Sequence, residues 1–144
     1  MELPFRRLDP EATLPSSQHA GDAGLDLCAN ADVEVLAGER AMVPTGLAVA
    51  IPEGYAGLVL PRSGLASKRG LTLANSPGLI DAGYRGEVIV SAVNLDLTEA
   101  VKIARGDRIA QLVVVALPTV KPTWVSDLPA TQRGEDGFGS TGSS

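Results

Sequence analysis

Short apolar stretches separated by turn-forming residues run along most of the chain. Leu47, Val49 and Ile51 alternate with small residues, the period of two expected for a strand. The runs VIVSAV (88–93) and LVVVAL (112–117) do not alternate, which is typical of strands covered on both faces. Frequent glycine and proline between such stretches indicate an all-β sandwich or barrel. The predicted strands are residues 3–8, 25–28, 32–36, 40–43, 45–51, 55–60, 86–95, 99–104, 107–117 and 120–125.

Two segments depart from the strand pattern. The sequence SGLASKRG (63–70) predicts about two turns of helix that end at Gly70. The last residues, RGEDGFGSTGSS (133–144), are rich in Gly and Ser, and their composition alone favours a disordered tail. We therefore expect one β domain over residues 1–132, followed by a flexible arm over residues 133–144.

Composition and charge exclude several classes of protein. Hydrophobic residues make up 44% of the 144-residue chain but aromatic residues only 3%, so the core must be aliphatic. The net charge of −5 and the lack of a basic run argue against a nucleic-acid partner. The single cysteine, Cys28, excludes an internal disulfide. No apolar stretch is long enough to cross a membrane and no signal peptide opens the chain, so we expect a cytoplasmic protein with no membrane partner.

Two segments carry groups suited to cations and anions. In AGDAGLDLCA (20–29), Asp22 and Asp26 flank a glycine turn, and an aspartate there could bind a hard cation directly or through water. An Asx-type turn is the plainer interpretation and is preferred for Asp22. In PRSGLASKRG (61–70), Arg62 and Ser63 lie where a strand ends and a helix begins, which suits phosphate binding. Taken alone, this segment is better explained by Ser63 as a helix N-cap and Arg62 as a surface charge.

The segment NSPGLIDAGYRGEV (75–88) combines four turn-formers with one acid and one aromatic ring. Its backbone could present N–H and C=O groups to a planar ligand, and the Asn75 amide could complete the set of donors and acceptors. Tyr84 could form a wall of such a site, and Asp81 could accept a proton from a water molecule. A glycine-rich hairpin whose tyrosine packs on its own turn is the plainer alternative.

Two further segments could complete a site. In RGDRIAQLVV (105–114), the RGD triplet is best explained as a turn before a strand, and Gln111 needs a partner inside an apolar strand. A ligand phosphate or another chain could supply that partner. The tail resembles a phosphate-binding loop in composition but lacks the lysine of a Walker motif. Phe138, between two glycines, could lie flat over a base.

These five segments, in this order, resemble the five motifs of the trimeric dUTPase family. The resemblance covers residues 20–29, 61–70, 75–88, 105–113 and 133–142. It implies a jelly-roll-like β fold, a β-clip barrel or sandwich with one short helix. It also implies a homotrimer whose exchanged C-terminal arm closes over a neighbouring active site. The implied reaction is Mg2+-dependent hydrolysis of dUTP to dUMP and pyrophosphate, with water attacking the α-phosphorus. That reaction limits uracil incorporation into DNA and supplies dUMP for thymidylate synthesis.

The resemblance also implies roles for individual residues. Asp81 matches the acid that orients and deprotonates the attacking water, and Asp26 matches the acid that holds Mg2+ through water. Tyr84 matches the ring that packs under the deoxyribose and excludes a 2′-hydroxyl. The remaining residues implied for the base and sugar are Asn75, Gly78, Leu79, Ile80 and Phe138. The residues implied for the phosphates are Arg62, Ser63, Gly64, Gln111, Arg133, Gly139, Ser140 and Thr141.

Two other functions compete with this interpretation. The related dCTP deaminases carry a glutamate in the strand after the hairpin, and the corresponding position here is Ser91, so deamination is disfavoured. A trimeric β module that only binds nucleotide or protein partners is the non-enzymatic alternative. It would have little reason to keep Asp81, Arg133 and Phe138 together.

Several conspicuous residues have plain structural explanations. We expect the only histidine, His19, to be solvated, and Cys28 to behave as a small hydrophobic residue. Trp124 is expected to pack a late strand against a neighbouring surface. Lys68 and Arg69 are either surface charges on the short helix or weak attractors of phosphate.

Overall fold

The computed structural model of the chain describes residues 1–132 and 134–135. Its single helix is α1 (Ser63–Arg69). Its strands are β1 (Phe5–Arg7), β2 (Leu25–Cys28), β3 (Val33–Val35), β4 (Arg40–Val49), β5 (Tyr55–Pro61), β6 (Leu71–Leu73), β7 (Gly78–Ile80), β8 (Glu87–Asn94), β9 (Val101–Ile103) and β10 (Arg108–Ala116). The all-β prediction with one short helix is therefore confirmed.

The strands form three antiparallel sheets around one core. One sheet has the order β1-β4-β8-β6, another β2-β10-β5-β7, and β3 pairs with β9 in the third. None of these sheets closes on itself within the described part of the chain. The core contains only Val, Leu, Ile and Ala among its buried members, as the composition predicted, while Phe5 and Tyr55 pack against its rim. The fold is thus sandwich-like rather than a closed barrel.

Helix α1 follows the prediction closely. It ends where Gly70 takes the left-handed conformation (φ 65°) and donates its N–H to the carbonyl of Ala66. Glycine tolerates this conformation because it has no Cβ. The N-cap is Arg62 rather than Ser63, and no side chain caps the helix.

The strand predictions were partly wrong. The two strands predicted at 40–43 and 45–51 form one strand, β4, whose pairing with β8 shifts register between Pro44 and Ala48. Strands β6 and β7 were missed, because three residues beside Gly and Pro give too short a pattern to detect. The strand predicted at 120–125 is absent. Pro118 and Pro122 flank or interrupt that segment and lack the N–H that a ladder needs.

The prediction that two strands are covered on both faces does not hold within this chain. In β8, Val88, Val90 and Ala92 are buried, whereas Ile89 on the opposite face is 43% exposed. In β10, residues 113–115 are only half-buried. One apolar face of each strand is therefore left open by the described residues.

The chain leaves its own core after β10. Residues 117–132 form no helix or strand. Trp124 is fully exposed and Leu128 is 77% exposed, so neither side chain packs on the core of this chain. Along the described residues, no helix has the length and apolar character needed to cross a membrane.

A buried asparagine joins two of the sheets. Asn94, at the end of β8, is completely buried. Its Nδ2 donates to the carbonyl oxygens of Val35 at 3.0 Å and Glu99 at 2.8 Å, and its Oδ1 accepts the N–H of Asp96 at 2.9 Å. Since buried polar groups are costly when unpaired, this side chain holds β3 and the β8–β9 loop in place.

We predict that Asn94→Leu, which keeps side-chain volume but not these hydrogen bonds, lowers the free energy of unfolding by about 3 kcal/mol. Urea unfolding at one fixed protein concentration measures the change. Thr98→Val is the control, because it removes only an exposed hydrogen bond of the same loop, from the Thr98 hydroxyl to Asp96 at 3.3 Å. It should change stability by less than about 0.5 kcal/mol. Equal stabilities for the two variants would contradict the role of Asn94.

Candidate active site

One tight turn contains both the acid and the aromatic ring singled out in the sequence. Strand β7 ends at Ile80, and the N–H of Tyr84 donates to the carbonyl of Asp81 at 3.0 Å. This is the bond between the first and fourth residues of a β-turn. Asp81 is exposed at the start of the turn and Tyr84 is 44% exposed at its end. Their separation by three residues therefore places both side chains on one rigid connection.

Hydrogen bonds fix the turn and its ring. The Tyr84 hydroxyl donates to the carbonyl of Glu87 at 2.8 Å. The Arg85 guanidinium donates to the carbonyls of Ala82 and Tyr84, both at 2.7 Å. The carboxylate of Glu87 accepts the N–H of Gly46 in β4 at 2.8 Å. These contacts hold the turn in one conformation before any ligand binds.

The turn borders a cavity of about 270 Å3, which we call the hairpin cavity. It brings together five residues predicted to bind a base or sugar, namely Asn75, Gly78, Leu79, Ile80 and Tyr84. The sequence did not indicate its other walls, which are Met42, Val59, Leu73, Glu87, Val88 and Ile89. All of these except Glu87 are apolar, and apolar side chains give no signal that distinguishes a cavity wall from a core.

Strand β7 offers its backbone to this cavity. It is an edge strand that pairs only with β5, so the groups on its other side have no strand partner among the described residues. A Cβ on Gly78 would lie 3.3 Å from Nδ2 of Asn75 and 3.4 Å from Cβ of Val59. Glycine at this position lets the Asn75 amide approach the backbone closely.

A second cavity, of about 430 Å3, lies where β2, β10 and the start of α1 meet, and we call it the arginine cavity. It contains all the described residues predicted to bind phosphate or metal, which are Asp26, Arg62, Ser63, Gly64 and Gln111. Gln18, His19, Asp22, Ala23, Gly24 and Arg108 complete its lining. The two cavities share no lining residue, and Asp81 lines neither of them.

Asp26 binds two arginines at once. Its Oδ1 lies 3.2 Å from Nε of Arg62, and its Oδ2 lies 3.2 Å from Nη1 of Arg108. Arg62 also donates through Nη1 to the carbonyl of Arg108 at 3.0 Å. The Asp26 side chain is only 14% exposed, so its two ion pairs are better shielded from solvent than a surface salt bridge. Asp26 thus holds both guanidinium groups at the cavity.

Gln111 is positioned by its backbone neighbours. Its Nε2 donates to the carbonyl of Pro61 at 3.0 Å, which supplies the partner that the sequence required. The remaining N–H of that amide is available to a ligand. Gly24, which directly precedes β2, leaves room for this side chain, because a Cβ on Gly24 would lie 2.6 Å from Oε1 of Gln111.

Two plainer interpretations from the sequence hold in the structure. Asp22 accepts the N–H groups of Gln18 and His19 at 3.1 and 2.8 Å, which is a local turn. The RGD triplet is also a turn before a strand: Asp107 accepts the N–H of Ala104 at 2.9 Å, and Arg105 pairs with Glu11.

The donor set suits a magnesium ion that keeps most of its water. The described residues contain no group of three His, Cys, Asp or Glu side chains able to hold a metal. Both Asp26 oxygens already face arginines, and Asp22, which also lines the cavity, caps a turn. Mg2+ commonly binds through one or two carboxylates, water and substrate phosphates. Asp26 therefore fits a water-mediated contact and not an all-protein site.

The thiol of Cys28 does not behave as a nucleophile in this setting. Burial, followed by the charge of Asp26, raises the pKa of the thiol above its usual value. The reactive thiolate is accordingly disfavoured near neutral pH. This agrees with the expectation that Cys28 is a small hydrophobic residue beside the arginine cavity.

Five of the predicted site residues fall in the part of the chain that the structure does not describe. Arg133, Phe138, Gly139, Ser140 and Thr141 lie outside the described residues. Lys68 is exposed in the last turn of α1, and Arg69 borders a different surface pocket beside Arg62.

Arg108 is the clearest residue that sequence reasoning missed. It begins β10 and reaches Asp26 only because β10 pairs with β2, with Gln111 opposite Asp26. No short motif reveals that register, since it depends on two segments about eighty residues apart.

Comparison with known proteins agrees with this arrangement. A family model described as dUTPase matches residues 10–142. The deoxyuridine 5'-triphosphate nucleotidohydrolase of Streptomyces avermitilis is 55% identical over 138 residues, which are 96% of this chain and 79% of that protein. The protein of the same name from Mycolicibacterium gilvum is 55% identical over 141 residues, which cover 94% of this chain and 92% of that protein.

Solved structures give the same result. The dUTPase of Staphylococcus bacteriophage 80alpha with dUpNHpp has a TM-score of 0.91 and 33% identity, and the match covers 99% of each chain. A mutant dUTPase from phage phi11 of S. aureus, described with a structural Mg(II) ion, has a TM-score of 0.83 and 31% identity over 88% of this chain and 98% of that one. The chain is therefore an enzyme of the dUTPase family.

Proposed function

We propose that this enzyme hydrolyses dUTP to dUMP and pyrophosphate, with Mg2+, by attack of water on the α-phosphorus. The observation that carries the proposal is the Asp81–Tyr84 turn, which joins an exposed carboxylate to a wall of the hairpin cavity. In a cell the reaction would limit uracil incorporation into DNA and supply dUMP for thymidylate synthesis. The cytoplasmic location expected from the sequence stays a prediction.

The hairpin cavity is the proposed site of uracil and deoxyribose. The open edge of β7 and the Asn75 amide provide donors and acceptors for the polar edge of a pyrimidine. Cytosine would place its amino donor against a donor, which a site of fixed hydrogen bonds discriminates strongly. The Tyr84 ring would lie under the sugar, where an added 2′-hydroxyl collides with it.

The arginine cavity is the proposed site of the triphosphate. Arg62 and Arg108 offer guanidinium donors, and Ser63 and Gln111 add neutral donors. Because Asp26 fixes both arginines beforehand, little side-chain ordering remains when phosphate binds. Asp26 would hold Mg2+ through water together with the substrate's phosphates, and the ion would neutralise their charge. Asp81 would take the proton from the attacking water.

We propose that the active site is completed between subunits of a homotrimer. A single nucleotide must reach both the hairpin cavity and the arginine cavity, yet they share no residue within one chain. The open apolar face of β8 and the exposed segment after β10 supply surfaces for other copies to cover. Residues 133–144 are proposed to act as the arm that closes the site, through Arg133, Phe138, Gly139, Ser140 and Thr141.

The two alternative functions have less support. Ser91 is half-buried in β8 opposite Met42 and offers no carboxylate for deamination. A pure binding module would not need Asp81, an exposed acid without a side-chain partner among the described residues, in the turn that borders the hairpin cavity.

A substrate panel tests the proposed reaction. Pyrophosphate release is measured with dUTP, dCTP, dTTP and UTP, each with Mg2+ and with a chelator. We expect release from dUTP alone and its loss with chelator. Ammonia release from dCTP would instead support deamination, and no release from any nucleotide by folded protein would support the binding module.

Asp81→Asn keeps the shape of the side chain but removes its ability to take a proton. We expect turnover of dUTP to fall by about 100-fold or more while dUpNHpp still binds. Single-turnover kinetics and a binding titration separate the two effects. Near-normal turnover would exclude Asp81 as the base.

A mixing experiment tests whether two chains share one site. Asp81→Asn and Arg62→Ala should each be nearly inactive alone. If the two cavities of one site come from different chains, mixed oligomers contain sites with both native residues, and activity returns on subunit exchange. No recovery in oligomers shown to contain both variants would mean that each chain holds a complete site.

A further inference from the structure

The Tyr84 ring lies directly over Gly86. A Cβ at residue 86 would be 2.5 Å from the Tyr84 hydroxyl oxygen, 2.7 Å from Cζ and 3.1 Å from Cε2. All three nearest atoms belong to this one side chain. Distances under 3.0 Å are not sustained between real atoms of this kind, so the ring and a side chain at 86 exclude each other.

The glycine is needed for the ring and not for the backbone. Gly86 is not among the glycines of the described chain that have a positive φ, so an alanine could adopt its backbone conformation. Gly83, in the same turn, also lacks a positive φ, and a Cβ there would meet nothing within 4 Å. The two glycines therefore form a pair of nearby positions of which only Gly86 meets Tyr84.

We infer that Gly86 is a specificity-determining residue that sets the position of the Tyr84 ring and thereby the choice between deoxyribose and ribose. The inference rests on the proposed role of Tyr84. An alanine at 86 must push the ring off its place, which breaks the hydroxyl's 2.8 Å hydrogen bond to the carbonyl of Glu87. Because the ring is 44% exposed, it can move without disturbing the core.

A displaced ring changes the wall of the hairpin cavity but not the acid. Asp81 is held through its backbone carbonyl, which accepts the N–H of Tyr84, and neither atom of that bond is among the three nearest to a Cβ at 86. The effect of the substitution should therefore appear in the discrimination between substrates more than in turnover of dUTP. A merely structural role for Gly86 would reduce hydrolysis of dUTP and UTP by the same factor.

The experiment compares Gly86→Ala with Gly83→Ala. For each enzyme, kcat/KM is measured for dUTP and for UTP, and the ratio of the two values is the readout. We expect Gly86→Ala to lower the ratio by about tenfold or more, the range expected when a steric contact in a pocket is lost. Gly83→Ala should leave the ratio unchanged. An unchanged ratio in Gly86→Ala, or an equal fall in both variants, overturns the inference.

A double-mutant cycle shows whether the effect passes through the ring. Tyr84→Ala should lower the same ratio, and adding Gly86→Ala to it should then change nothing further, since no ring remains to displace. A further fall in the double variant overturns the inference. If the Tyr84→Ala enzyme is active and has the wild-type ratio of kcat/KM values, the proposed role of Tyr84 fails, and the inference fails with it. If Tyr84→Ala relaxes selectivity and Gly86→Ala does not, the inference alone fails.

The double variant keeps the inference testable even if Gly86→Ala does not fold. If Gly86→Ala does not fold because of the clash with the ring, the double variant, which lacks the ring, should fold and show the ratio of Tyr84→Ala. A double variant that also fails to fold would show that Gly86 serves some other contact, which overturns the inference.

Discussion

The pairing register of β10 is the constraint on which the arginine cavity depends. This strand lies between β2 and β5, with Gln111 opposite Asp26 on one side and Leu60 on the other. The pairing of β10 with β2 shifts register between Arg108 and Ala110, so that Arg108 lies opposite Cys28 and reaches Asp26. On the other side of β10, β5 leads directly into Arg62. A shift of one residue would turn Gln111 to the other face of the sheet and separate Asp26 from Arg108. The proposed phosphate site therefore depends on strand pairing as much as on its side chains.

The hairpin cavity is built on a different principle. Strand β7 is three residues long and has only β5 as a partner, so its own pairing contributes little rigidity. Rigidity comes instead from the turn that follows, through the bonds of Tyr84, Arg85 and Glu87. The enzyme thus leaves backbone groups open for a ligand while the side chains around them keep the edge in place.

Sequence patterns predicted the fold class well and the site in part. Strands that present an aliphatic face, and the helix ended by Gly70, follow from periodicity and local backbone chemistry. Asp81 and Tyr84 stand close in sequence, so their common turn could be anticipated. Arg108 and the walls at Met42 and Ile89 could not, because they depend on long-range register.

The strand predicted at 120–125 is absent for a reason that also lies outside the local sequence. Residues 120–125 have suitable side chains, but a strand needs a neighbour, and the described chain provides none there. A missing neighbour also explains why the sequence predicts a covered face for β8 that the described chain leaves open. Side-chain patterns report which surfaces avoid water, but not whether the same chain covers them.

The open face of β8 has a consequence for the newly synthesised chain. In the proposed trimer other copies cover this face, but before assembly each folded chain displays apolar side chains such as Ile89. These lie beside the edge of β7 that has no strand partner among the described residues. Such surfaces favour irregular association during the interval between folding and assembly. The net charge of −5 opposes that association, because like-charged chains repel one another at long range while close complementary contact can still form. In the proposed trimer, the acidic balance of the sequence would therefore disfavour irregular association of the chains before they assemble.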